Sequence, residues 1–141
     1  MSVTRIPKRL REQIRLIAKC RCEYCCTQEK FTGNLFEIDH IVPEAHGGTT
    51  EKDNLCLACS ACNEFKGHKV AAIDPQTGEL VALFNPRTQL WHDHFEWTNT
   101  GDKLIGKTPT GRATIIGLRL NRISLAEARQ AWALVGWHPP L

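Results

Sequence analysis

Cys22-Glu-Tyr-Cys25 and Cys59-Ser-Ala-Cys62 stand 33 residues apart, with Asp39-His40 between them and Asn63 directly after the second pair. Two residues between thiolates let both sulfurs reach one ion from a tight turn, and two such turns complete a tetrahedron. Zinc suits the set, and four sulfurs leave it no open position, so this ion is expected to be structural. Cys20, Cys26 and Cys56 are left over. Cys20-Arg-Cys22 and Cys56-Leu-Ala-Cys59 offer competing registers, and the extra cysteines are read as small buried apolar residues. His40 has the near-neutral imidazole that can take a proton from water. Asp39 is a natural ligand for a hard cation such as Mg2+, and Asn63 can bring an amide oxygen to the same ion. A base, a nucleophilic water and positive charge on the phosphate oxygens are what phosphodiester cleavage requires.

These groups need elements to place them. Residues 7–20 are expected to form a helix, with Pro7 in its first turn and Leu10, Ile14 and Ile17 on one face. Residues 35–42 are partly alternating and β-branched, and predict a strand that Pro43 stops before the Gly47-Gly48 loop. Residues 55–58 predict a second short strand, and a helix is expected from Ser60 to about Gly67. Neighbours on a regular strand face opposite ways, so Asp39 and His40 can share a site only where the strand bends or ends. Asn54, before Leu55, is also the kind of residue that caps a helix or turn. Beyond a turn signal at Asp74-Pro-Gln-Thr-Gly78, strands are expected at 80–84, 91–97 and 103–107, and helices at 111–120 and from Ser124, where Ser-Leu-Ala-Glu reads as a capping box. Gly136 is expected to stop the last helix. The aromatics Trp91, Phe95, Trp97, Trp132 and Trp137 read as core.

Cys-x-x-Cys, Asp-His-Ile-x-Pro, Gly-Gly, Asn-Leu, Cys-x-x-Cys-Asn and Lys-Gly, in this order over residues 18–69, resemble the HNH endonucleases of ββα-metal fold. The resemblance implies that His40 is the general base and that Asp39 and Asn63 hold a catalytic Mg2+ or Mn2+. It also implies that Asn54 orients the base and braces the loop, and that Cys22, Cys25, Cys59 and Cys62 hold zinc. Asn63 stands where the family often has histidine; His68, five residues on, is kept as a minor candidate expected to face away from Asn63. The fold class expected is α+β: an HNH ββα-metal core over 1–73, stapled by zinc, and a strand-and-helix extension over 74–141 packed on it. The substrate implied is DNA, double-stranded.

The 141 residues suit one domain, or a small domain with an extension. No apolar run is long enough to span a bilayer, and the N-terminus lacks the apolar core of an export signal, so a cytoplasmic protein with reduced cysteines is expected. The net charge of +3 says little, but residues 1–30 carry eight Lys/Arg against three acids and residues 31–65 one against six. A basic arm beside an acidic pocket suits a protein that grips phosphates and holds a cation. Arg15, Arg21, Lys66 and Lys69 are the candidate nucleic-acid contacts, followed by Arg9, Arg11, Arg112, Arg119 and Arg122. A non-catalytic zinc module that binds nucleic acid or protein is the rival reading. A thiol redox protein is a third, supported by no further feature.

Overall fold

The computed structural model describes residues 5–140; the first four residues of the segment read as lacking an export signal, and Leu141, lie outside them. The chain divides into two compact units, one running to Val70 and including Asn85–Thr88, the other holding Ala71–Phe84 and everything from Gln89.

The first unit opens with α1 (Lys8–Ala18), for which Pro7 is the N-cap rather than a first-turn residue. Its buried face is Ile14 and Ala18, four residues apart, while Ile17 is largely exposed. The expected 10-14-17 stripe is therefore rotated by one position at its end. A short α2 (Glu29–Thr32) was not anticipated. The strands β1 (Glu37–His40) and β2 (Leu55–Ala58) pair antiparallel, with Asp39 opposite Cys56 and His40 opposite Leu55. All four β2 residues are buried, as befits a strand covered on both faces. Then α3 (Ser60–Lys66) begins at the second cysteine turn, with Cys59 as N-cap and its sulfur accepting from the Cys62 N–H at 3.5 Å. The result is a small mixed fold whose β1-β2-α3 order, with four clustered cysteines, is that of a ββα-metal core.

Pairing on β1 stops at His40, and the connection to β2 is a folded loop. Asn54 ties it: its carbonyl side-chain oxygen accepts from the Val42 N–H at 2.8 Å, and its amide donates to the carbonyls of Val42 and Thr49. Gly48 is required here, because a Cβ would fall 1.6 Å from the Val42 carbonyl oxygen. Between its cysteines, Glu23 bonds β2 twice, through Leu57 O and Leu57 N, and its carboxylate also takes the guanidinium of Arg87.

The second unit has β3 (Ala71–Ile73) paired with β4 (Leu80–Ala82), and β5 (Phe95–Trp97) paired with β6 (Leu104–Gly106). Its helices are α4 (Trp91–His94), α5 (Pro109–Gly117) and α6 (Ile123–Leu134). The expected strand over 91–97 is thus half helix. Arg122 is the N-cap of α6 and Ser124 lies inside it, so the capping-box reading fails. Phe84, Phe95 and Leu104 are core, and the Phe84 and Phe95 rings meet edge-on at 5.3 Å. Trp137 is half exposed, against the core expectation.

Asp74 closes the β3–β4 turn. It accepts from Gln76 N–H and Thr77 hydroxyl, and takes Arg112 of α5 bidentately at 2.9 Å. Arg112 is thereby committed to an ion pair rather than to a phosphate. The guanidinium holds the Asp74 carboxyl well below the usual aspartate range, and Thr100 with Gln130 brings Asp102 to about 2. A carboxyl depressed in the folded state stabilises above its unfolded value of about 3.9, and that contribution is lost as pH falls toward the folded value. By calorimetry, the gap in Tm between the native chain and Asp74→Asn is expected to be largest near neutrality and to shrink as pH drops from about 4 toward 2.

Candidate active site and zinc cluster

The four sulfurs of Cys22, Cys25, Cys59 and Cys62 lie within 4.8 Å of one another. Cys25 and Cys59 approach to 3.8 Å, the edge of a tetrahedron with arms of about 2.3 Å, which is the zinc–thiolate distance. Backbone N–H groups of Cys25 and Cys62 point at the Cys22 and Cys59 sulfurs, both at 3.5 Å, as in turns that wrap a metal. The electrostatics agree. Burial pushes the Cys22 thiol up, while a hydrogen bond from Cys22 pulls Cys25 down. Four sulfurs this buried do not ionise together without a cation among them, and a divalent ion fits the place. The competing registers are set aside: Cys56 is buried on β2 opposite Asp39, Cys20 is exposed, and Cys26 sits half-buried with a positive φ of 66°.

Beside this cluster a cavity of about 590 Å³ is lined by Glu37, Asp39, His40, Glu44, Asn63 and His68, among others. Asp39 and His40 are thus brought to one cavity, because the regular strand ends between them and the loop. His40 is 4% exposed, with Nε2 2.9 Å from Thr50 Oγ1 and 3.4 Å from a Glu44 carboxylate oxygen. Asp39 is 6% exposed. Burial pushes its carboxyl up, against the opposing pull of Lys66 and Tyr24. Only its Oδ2 is engaged, by Tyr24, Lys66 and, at longer range, the Cys56 sulfur. The Asn63 amide nitrogen donates to Glu37 Oε2, which turns its Oδ1 away from that carboxylate. Neither Asp39 Oδ1 nor Asn63 Oδ1 has a hydrogen-bond partner among the described residues. Two unengaged oxygens on one cavity, one of them from a carboxylate, are a donor set that fits a hard divalent cation.

Residues 22–69 match the family model for the HNH endonuclease. This stretch is an HNH domain. The CRISPR-associated endonuclease Cas9 of Corynebacterium diphtheriae is 42% identical over 55 residues, covering 38% of this chain and 5% of that protein. The chain therefore spans about a twentieth of that relative's length. No solved structure matches the chain.

In and beside the HNH domain the remaining candidates fall into place unevenly. Asn54 braces the loop that follows His40, but its side chain bonds Val42 and Thr49, not the imidazole. Thr50 and Glu44 are the side chains that touch the ring. His68 lines the cavity rather than facing away from it, because α3 stops at Lys66 and Gly67, with φ +54°, redirects the chain. Lys66 is corrected most sharply. It is 1% exposed and bonds Asp39 and the His40 carbonyl, so it is no surface phosphate contact. Arg15 is tied to Glu29 at 2.5 Å and reaches the Phe36 carbonyl. Arg21 is half-buried on the bridge to Gln28, and Lys69 is exposed with its ammonium on the Phe65 carbonyl.

Two features of the first unit go beyond the sequence reading. Glu37 lies two residues before Asp39, on the same side of β1, and strand alternation alone places it beside the cavity. It accepts from both Asn63 and Ser60. The second is a neighbouring cavity lined by Arg5, Arg11 and Arg15, which shares Ile6, Glu37 and Ile38 with the first. Among the described residues, no helix is long and apolar enough to cross a membrane.

Proposed function

We propose that this chain is a metal-dependent endonuclease that hydrolyses DNA, with His40 as general base. The observation that carries the reading is one cavity of the HNH domain lined by His40, Asp39 and Asn63, in a fold that also gathers four sulfurs. Cys22, Cys25, Cys59 and Cys62 hold a structural zinc. Asp39 and Asn63 hold Mg2+ or Mn2+, which when bound neutralises charge on the scissile phosphate and its leaving oxygen.

The tautomer of His40 follows from its neighbours. A carboxylate oxygen of Glu44 can only accept, and it lies with Thr50 Oγ1 beside Nε2. Nε2 therefore keeps its proton, and Nδ1 carries the lone pair. A water attacking phosphorus gives its proton to Nδ1 as the new P–O bond forms and the bond to the 3′ oxygen breaks; that oxygen leaves with a proton from solvent. The products are a 5′-phosphate and a 3′-hydroxyl. Asn54 and Gly48 keep the loop carrying Thr50 closed against β1. Arg5 and Arg11 are exposed and have no carboxylate partner among the described residues, so their groove suits a phosphate backbone approaching the cavity.

The test is conversion of supercoiled plasmid by zinc-loaded protein. Nicked or linear DNA is expected with Mg2+ or Mn2+ and none with EDTA. Folded, zinc-loaded protein that leaves the plasmid intact with both metals would overturn the reading in favour of a non-catalytic zinc module.

A further inference from the structure

Three buried side chains meet at one oxygen of Asp39. The Tyr24 hydroxyl donates to Oδ2 at 3.0 Å, the Lys66 ammonium lies 3.1 Å from the same atom, and the Cys56 sulfur closes the group at 3.8 Å. Tyr24 and Cys56 are 0% exposed and Lys66 is 1% exposed. An ammonium is buried at considerable cost unless it is paired and hydrogen-bonded. Here it is both, since Nζ also donates to the His40 carbonyl at 3.0 Å.

We infer that Tyr24 and Lys66 are positioning residues that clamp Oδ2 of Asp39 and leave Oδ1 as the single oxygen offered to the catalytic cation. The inference rests on the reading of Asp39 as a metal ligand. Its basis is the division of labour between the two oxygens: one is saturated from the protein interior, the other has no partner and belongs to a residue lining the cavity. The clamp also joins the site to its frame. Tyr24 sits inside the Cys22–Cys25 turn and Lys66 ends α3, the helix that starts at the Cys59 turn. Each jaw is thus carried by one cysteine turn, and closure of both over zinc sets where the carboxylate stands. A single bound oxygen, fixed in rotation, is a narrower geometric demand than a freely turning carboxylate makes.

Tyr24→Phe removes one hydroxyl at constant volume. Partners behind a metal ligand are worth about 10- to 100-fold in affinity or activity. In the full zinc-loaded chain, Mn2+ binding read by electron paramagnetic resonance without DNA is expected to weaken at least tenfold. kcat should fall by about the same factor, with KM for plasmid and zinc content unchanged. Lys66→Met separates position from charge: a lysine acting only by its charge repels the cation, so its loss would tighten Mn2+ binding, whereas loss of the clamp weakens it. Weaker binding in both variants supports the inference. Binding lost in Asp39→Ala but unchanged in Tyr24→Phe, or tightened in Lys66→Met, overturns the clamp and leaves Asp39 as ligand. Binding unchanged in Asp39→Ala overturns the ligand reading and the clamp with it.

Discussion

His40→Ala is expected to lower kcat for plasmid cleavage by about three orders of magnitude while KM moves little. A positioned general base contributes about 10²- to 10⁴-fold, and no second imidazole in the HNH domain stands where Asp39 and Lys66 hold the strand end. His68 lines the same cavity but is exposed and lies beyond α3, on the far side of Gly67. The substitution removes a side chain whose polar contacts, with Thr50 and Glu44, are made by one ring nitrogen. The backbone bonds at this position do not use them: residue 40 still pairs with Leu55 and its carbonyl still accepts from Lys66. Zinc content and thermal melting should therefore stay near native, which separates a chemical defect from a folding one. Cleavage at the native rate by the variant would sink His40 as the base.

Removing zinc should do more, because it takes the scaffold with the activity. Cys22, Cys25 and Cys62 are themselves core residues, essentially without exposure. The strands they flank are only four residues long, and α3 only seven. A unit this small has a small core, and a metal staple is expected to carry much of its stability. Structural zinc sites in small domains supply on the order of 10 kcal/mol of folding free energy. A strong zinc chelator is expected to collapse amide-exchange protection across β1, β2 and α3. Cleavage should vanish, and excess Mg2+ should not restore it; Zn2+ followed by Mg2+ should. Full protection in zinc-depleted protein would refute the staple.

How much of this was readable beforehand divides along a physical line. The spacing of Cys22, Cys25, Cys59 and Cys62, and the order of Asp39, His40 and Asn63 around it, are local patterns with a chemical meaning. They pointed to the fold class and family at once. The extents of β2 and α3 followed from the cysteine turn that separates them. Burial was harder to read. Lys66 looked like a surface cation because lysine usually is one, and its pairing with Asp39 exists only once α3 has docked on β1. Tyr24 gave no signal of its own, since nothing in Cys-Glu-Tyr-Cys tells that its hydroxyl reaches Asp39. Thr50 gave no signal, since its hydroxyl reaches His40 through a loop whose path depends on Asn54 and on the absence of a side chain at Gly48. In the second unit, four residues at Trp91–His94 are too few to show a helical period, so β propensity prevailed. Ser124 was misread because a capping pattern is a matter of register, and α6 begins one residue earlier, at Ile123.

All seven cysteines fall in the first compact unit, whereas all four tryptophans fall in the second. The chain therefore carries two optical reporters that do not overlap. Cobalt exchanged into the sulfur cage would absorb in the visible from one unit alone, and indole emission would come from the other alone. Following both colours through a single denaturant titration would tell whether the halves come apart together or in turn, with no label attached and no residue changed.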